Sequence, residues 1–266
     1  MISIKDLDDY IASVPPLPKV GRDCSKALED GDLILAAEEA VKDGALMLYL
    51  KQLVNKPIYG FRTEIKDPRQ LFGILGLERA RQLLYAYYTQ LLVPKKWEVF
   101  ELDTRIFQEF QANLMLKWER ILNSLKIKDP VILKSISLIP AALAACEAIF
   151  KDHLEIVKLI HSQQSLSYEA ILTRMTGMSF HDITSKIARK WDLPEEVIGL
   201  MEELDEKEFK SELTEYLKLL IQYELSRPAL IKSGANDFFE FVFYADEEIL
   251  DRFYEIISKV EDETNG

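Results

Sequence analysis

The chain has 266 residues, with 33 Lys or Arg against 45 Asp or Glu, so its formal net charge is −12. A composition of 48% apolar and 29% charged residues is typical of a soluble globular protein and excludes a largely disordered one. The negative balance disfavours broad binding to nucleic acids, which needs a surplus of basic residues on one face.

The lengths of the uncharged runs and the number of cysteines indicate where in the cell the protein is located. The longest uncharged runs, residues 82–94 and 135–146, are shorter than the ~18–20 residues that cross a bilayer, and the acidic N-terminus has no apolar segment of a secretory signal. The two cysteines, Cys24 and Cys146, provide no disulfide framework and no Cys-x-x-Cys metal motif. We therefore expect a cytoplasmic protein without a membrane partner.

Apolar residues at helical spacing predict helices along the first half of the chain. After a first helix, Pro15, Pro16 and Pro18 predict an extended link. Asp67 followed by Pro68 is typical of a helix start, and Gly76 interrupts that helix. The predicted helices of this half cover residues 3–14, 31–41, 44–54, 68–75 and 80–93.

The second half shows the same periodicity, and only residues 238–244 hint at the alternation of a strand, so we predict an all-α protein. Trp191 is expected in the core, Asp192 as a helix cap and Pro194 at the first position of the next helix. The predicted helices lie near residues 103–122, 131–150, 154–160, 168–175, 183–191, 194–204, 208–225 and 247–260.

Phosphate-binding loops and a nucleophile elbow are absent from the sequence. His181 and Asp182 form a His-Asp dipeptide, but His153 and His161 stand eight residues apart, about 12 Å along a helix, so one metal cannot bind both. We interpret His153 and His161 as surface residues and His181 as a packing or capping residue. Cys146 is expected in the core and Cys24 to be partly exposed, with neither acting as a nucleophile.

The aromatic run near the C-terminus allows two interpretations. It belongs either to the core or to a partner groove or dimer seam, because aromatic side chains concentrate binding energy. Its members are Phe238, Phe239, Phe241, Phe243 and Tyr244.

Four segments in a fixed order resemble the HDOD (HD-related output domain) family. They are VPPLP at residues 14–18, DGAL at 43–46 followed by Leu50 and by LVN ending at Asn55, LFGILG at 71–76, and HDITSKIARKWDLP at 181–194. The matches extend from about residue 13 to about residue 200. By this resemblance, Asn55, Gly76, Trp191 and Pro194 are structural residues.

The departures from the family pattern concern histidines. Phe110 and Pro140 stand where related sequences often carry His, and neither side chain can bind a metal. The resemblance implies an HD-like fold that has lost its metal ligands and acts in bacterial signalling. His181 and Asp182 remain weak metal candidates, and we expect no cofactor.

The resemblance and the residue patterns together lead to one hypothesis. The chain is predicted to have an N-terminal helical lobe (1–100), a degenerate HD-like lobe (101–205) and a C-terminal helical extension packed on it (206–266). We predict a non-catalytic regulatory protein that binds another protein. Two alternatives stay open: a metal-dependent phosphohydrolase, and a small-ligand sensor with a pocket between the lobes. The sequence identifies neither the partner nor the oligomeric state.

Overall fold

The computed structural model describes residues 2–55, 64–205 and 211–265, and in these ranges the regular structure is helical without a strand. The prediction of an all-α protein is confirmed. The chain divides into two compact units: the small unit, Pro15–Leu91, and the large unit, Met1–Val14 with Leu92–Gly266. No helix among the described residues combines the length and apolar character needed to cross a bilayer.

The helices are numbered in chain order. The small unit contains α2 (Lys19–Glu29), α3 (Leu33–Ala40), α4 (Gly44–Val54) and α5 (Pro68–Gln90). The large unit contains α1 (Ile4–Ser13), α6 (Thr104–Ser124), α7 (Pro130–Ser135), α8 (Ile139–Lys151), α9 (Leu154–Gln164), α10 (Tyr168–Thr176), α11 (Phe180–Lys190), α12 (Glu195–Glu203), α13 (Glu212–Leu225), α14 (Ile231–Tyr244) and α15 (Glu247–Asn265).

This division differs from the three segments predicted from the sequence. Helix α1 and residues 92–100 fall with the large unit, and helices α13 to α15 do not separate from it. The boundary predicted between residues 205 and 206 lies next to residues 206–210, which are outside the described residues.

Aspartate caps begin three helices of the small unit. The carboxylate of Asp32 accepts hydrogen bonds from the first-turn N–H groups of α3, Asp43 does the same for α4, and Asp67 for α5. These bonds satisfy donors that have no partner within the helix. The helix start predicted at Asp67-Pro68 is therefore confirmed.

Helix α2 was not predicted, and its composition explains why. It buries mainly small residues, including Gly21, Cys24, Ser25 and Ala27, rather than a stripe of large apolar ones. The prediction that Cys24 is partly exposed is wrong, because its side chain is fully buried against α3, where its Sγ lies 3.5 Å from the carbonyl oxygen of Ala36.

Gly76 and Asn55 have clear structural roles in the small unit. Gly76 has φ 70° and ψ 173°, which kinks α5 within its length, and this backbone region is almost restricted to glycine. Asn55 ends α4, and its side chain exchanges two hydrogen bonds with the backbone of Ile65, at 2.7 and 3.1 Å. The amide thereby fixes Ile65, three residues before α5 begins, to the end of α4.

Helix α8 lies at the centre of the large unit, with nearly all its side chains buried. The carboxylate of Glu147 is fully buried and accepts hydrogen bonds from the backbone N–H groups of Glu98, Val99 and Phe100. A charged acceptor satisfied by several N–H groups is stable in the interior. Glu147 thereby anchors the segment that precedes α6 to helix α8.

A buried ion pair joins α6 to α13. The Lys117 ammonium lies 2.5 Å from Glu224, and both side chains are no more than 2% exposed. The same ammonium lies 2.8 Å from Glu261 of α15. These contacts fix three helices of the large unit to one another.

The turn between α11 and α12 differs from the prediction. Trp191 is 4% exposed, so its predicted place in the core is confirmed. Asp192, however, has a left-handed φ of 55° and does not cap α12. Pro194 itself is the N-cap residue of α12 instead of its first helical residue.

Candidate functional site

The His-Asp dipeptide lies in the first turn of α11. The Ser179 hydroxyl accepts hydrogen bonds from the N–H groups of His181 and Asp182, each at 3.0 Å, and Asp182 accepts one from the Ser179 N–H at 2.9 Å. This reciprocal pattern is a capping box. Asp182 therefore holds the start of the helix, while the His181 ring points inward and is 1% exposed.

The partner of the buried imidazole is a lysine from α13. The Lys218 ammonium lies 2.8 Å from Nε2 of His181, and Glu169 of α10 has a carboxylate oxygen 3.8 Å from the same nitrogen. An ammonium group only donates hydrogen bonds, so the Nε2 lone pair must accept this one. Burial, together with the positive charge of Lys218, holds the pKa of His181 well below its usual range. The imidazole is thus neutral, with its proton on Nδ1.

Three carboxylates complete this group, which we call the Lys218 cluster: His181, Lys218, Glu169, Asp205 and Asp237. Burial raises the pKa of each carboxyl, whereas the positive charge of Lys218 lowers it. The hydroxyl of Ser179 donates to Asp205 at 2.6 Å, and that of Ser167 donates to Asp237. The positive charge of Lys218 therefore offsets part of the effect of burial on all three acids.

A metal does not fit this arrangement. Zinc or a similar metal binds imidazole nitrogen at about 2.0–2.1 Å along the lone pair, and the ammonium of Lys218 already occupies that direction from His181 Nε2. Among the residues that the structure describes, no group of three or more His, Cys, Asp or Glu side chains is arranged to hold a metal ion. The His-Asp dipeptide supplies a helix cap and a hydrogen-bond acceptor.

The remaining histidines lie around α9. His153 is the residue before this helix, and His161 lies in its last turn, where its ring stacks on Tyr168 at 4.9 Å between centroids. Nδ1 of His161 is 2.5 Å from the carbonyl oxygen of Leu166. Both side chains are half-buried, and the contacts of His161 are those of a packing residue.

The two positions where His was expected from the family are buried. Phe110, on α6, lines a cleft of about 270 Å³ together with Glu224 and Arg227. Pro140 lies in the first turn of α8. Neither side chain has an atom that can ligate a metal, and their origin as lost ligand positions stays a prediction.

The aromatic run forms part of helix α14, not a strand, and it is divided between core and surface. Phe238 is 7% exposed and packs edge-on against Tyr223. Phe239, Phe243 and Tyr244 are 70%, 80% and 78% exposed, and we call these three residues the aromatic surface. Phe241 is half-buried.

Sequence reasoning missed Lys218 and Glu169. The available signal was local: Lys218 is the one charged residue among the apolar positions 216–221 of α13, and a charge in such a run needs a buried partner. That partner, His181, lies 37 residues earlier on α11, which no spacing in the sequence reveals.

Comparison with known proteins assigns the chain to a family. The family model of the HDOD domain matches residues 14–206. The chain belongs to the HDOD family. Among curated proteins, no sequence matches this HDOD protein.

Solved structures share its fold at low sequence identity. An HDOD domain protein of unknown function from Geobacter sulfurreducens is 14% identical, with a TM-score of 0.63 over 97% of each chain. A presumed signal transduction protein from Marinobacter aquaeolei VT8 is 11% identical, with a TM-score of 0.64 over 96% of this chain and 62% of that one. A presumed metal-dependent phosphohydrolase from Shewanella amazonensis SB2B is 14% identical, with a TM-score of 0.59 over 96% and 95%.

Proposed function

We propose that this HDOD protein is a non-catalytic, cytoplasmic regulator of bacterial signal transduction that acts by binding another protein. The observation that carries the proposal is the aromatic surface. Phe239, Phe243 and Tyr244 are each at least 70% exposed on one short stretch of α14. Large aromatic side chains dominate the energy of protein interfaces, and leaving three of them in water has a cost that a partner removes.

The Lys218 cluster supports the non-catalytic part of the proposal. A hydrolytic metal site needs an imidazole lone pair free for the metal and an open coordination position for water. Here the lone pair of His181 accepts a hydrogen bond from Lys218, and Asp182 caps a helix. Both contacts support a structural role for His181 and Asp182 in the large unit.

The family supports the signalling part. The HDOD domain covers residues 14–206, and one protein of the same fold is described as a presumed signal transduction protein. The aromatic surface lies in α14, beyond the residues that the family model matches.

Quantitative affinity capture from the native lysate tests the proposal. The bait proteins are the wild type, the variant Phe239→Ser/Phe243→Ser, and the control Leu159→Ser, which removes a 51%-exposed apolar side chain from α9. We expect a protein that is retained by the wild type and the control and lost from the double variant. Identical captured proteins on all three baits would contradict the proposed contact.

A separate assay addresses catalysis. With Mn²⁺ and bis(p-nitrophenyl) phosphate, we expect no hydrolysis above the protein-free rate. Hydrolysis by the wild type that is lost in His181→Ala would overturn the non-catalytic assignment.

A further inference from the structure

The aromatic surface lies within a stretch of one charge sign. Residues 233–251 contain six acidic side chains and no Lys, Arg or His. Asp237 belongs to the Lys218 cluster, and the five exposed members are Glu240, Asp246, Glu247, Glu248 and Asp251. A partner that covers the three aromatic rings therefore meets a strongly negative field at close range.

The geometry places charge and apolar area side by side. Phe239 and Phe243 stand one helical turn apart on α14, as do Glu240 and Tyr244, and such pairs share a helix face. All four side chains are exposed. The aromatic surface thus has an acidic residue within it as well as acidic residues after it.

Directly after Tyr244, the start of α15 forms an open cleft of about 740 Å³. Its lining residues are Asp246, Glu247, Glu248, Asp251, Arg252 and Glu255. The single base is engaged elsewhere, since Arg252 lies 3.5 Å from Glu212 and donates to the carbonyl oxygen of Ser124 at 3.2 Å. The cleft therefore presents carboxylates to a partner.

We propose that the aromatic surface and this acidic cleft together bind a basic segment of another protein, one that carries apolar side chains a helical turn apart between its Lys or Arg residues. The inference rests on the proposed function and adds the chemistry of the partner. The apolar side chains cover Phe239, Phe243 and Tyr244, and the basic ones meet the carboxylates, which steers association and sets the partner's orientation.

Two other occupants are disfavoured by the same charges. In a symmetric dimer the same patch meets itself, so the carboxylates of two copies would face one another and repel. An anionic membrane attracts basic surfaces, and residues 233–251 offer none. A basic protein segment satisfies both the apolar and the acidic part of the surface.

The probe is a 14-residue peptide of Leu and Lys with Leu at helical spacing, measured by fluorescence anisotropy against the full chain. Two control peptides replace every Lys by Glu or every Leu by Ser. We expect the Leu/Lys peptide to bind more tightly than either control. The affinity of the Leu/Lys peptide should fall as the salt concentration is raised from 50 to ~300 mM, because salt screens the attraction between charges.

Matched variants locate the binding. Phe239→Ser/Phe243→Ser should raise the Kd at least tenfold, with Leu159→Ser as its control. Glu248→Lys should raise the Kd severalfold, and Glu155→Lys should leave it within twofold. Glu248 and Glu155 are both exposed, and each is the second residue of its helix. The two substitutions therefore change the net charge by the same amount at equivalent helix positions.

The inference would be overturned if the Ser-containing peptide bound as tightly as the Leu/Lys peptide, or if the aromatic variant and its control had equal Kd values. It would also be overturned if the protein bound phosphatidylglycerol vesicles in preference to the peptide. A wild-type dimer that becomes a monomer in the aromatic variant would likewise contradict it. Loss of a native partner in the aromatic variant without any effect of Glu248→Lys would leave the proposed function standing and reject the basic partner. Peptide binding as expected, with unchanged capture from lysate, would support the basic-segment chemistry and reject the proposed function.

Discussion

Replacing Gly76 by alanine isolates the energy of one backbone conformation. Gly76 has φ 70° and ψ 173° inside α5, and a Cβ added there meets no atom within 4 Å. The cost of Gly76→Ala is therefore backbone strain without a steric clash. Residues forced into this region cost about 1–3 kcal/mol each.

Gly73→Ala is the matched control, three residues earlier in the same helix. Gly73 is exposed, and its added Cβ also meets nothing within 4 Å. Since alanine favours a helix interior over glycine by roughly 0.5–1 kcal/mol, this variant should be more stable than the wild type. The same chemical change is thus expected to have opposite signs at two neighbouring positions.

Urea denaturation followed by circular dichroism measures both free energies of unfolding. We expect Gly76→Ala to be destabilised and Gly73→Ala to be stabilised, with a difference of about 1.5–4 kcal/mol between them. Equal stabilities, or a stabilised Gly76→Ala, would refute the positive-φ kink in α5 and the reason given for it.

Three further changes test the buried groups. Lys117→Met leaves Glu224 buried without its closest cation and should cost about 3–5 kcal/mol in urea denaturation; a cost below ~1 kcal/mol would place the pair at the surface. Trp191→Ala should also cost roughly 3–5 kcal/mol, and a variant that melts with the wild type would contradict the burial of the ring. Burial raises the pKa of Cys24 to about 12 and that of Cys146 well above its usual value, so we expect both thiols to react with a disulfide reagent at pH 8 only after denaturant is added; rapid labelling of the native protein would show that one is accessible.

Local signals in the sequence predicted much of the fold. Asp67 and Gly76 act at single positions, because a cap or a positive φ depends on a few neighbouring residues. Trp191 was predicted in the core from its place at the end of an apolar stripe. Such features depend little on the rest of the chain, so the sequence alone suffices to find them.

Other features depend on packing and were missed for that reason. Helix α2 buries mostly small residues, with Leu28 as its one large buried side chain, so the spacing of large apolar residues does not mark it. The run at residues 238–244 contains so many aromatic residues that its period cannot separate a helix from a strand. Which of its rings are buried depends on the packing of α14 against α13, where Phe238 meets Tyr223.

The candidate site shows the same limit. His181 and Asp182 are found by their motif, but Lys218 lies 37 residues later, and only the fold brings its ammonium to Nε2 of His181. That positions 110 and 140 once carried metal ligands stays a prediction. The alternative of a small-ligand sensor stays a prediction.

Nitrogen-15 NMR of the histidine side chains tests the central claim most directly, namely that Lys218 holds His181 as a neutral acceptor where a metal would bind. The chain has three histidines, and the variant His181→Gln assigns the signal. We expect His181 to remain neutral with its proton on Nδ1 from pH 8 to pH 5.5, because its pKa is held well below the usual value of about 6.5, and to show no response to added Zn²⁺. Titration of His181 with a midpoint near its usual value, a proton on Nε2 or a shift on adding Zn²⁺ would contradict the account.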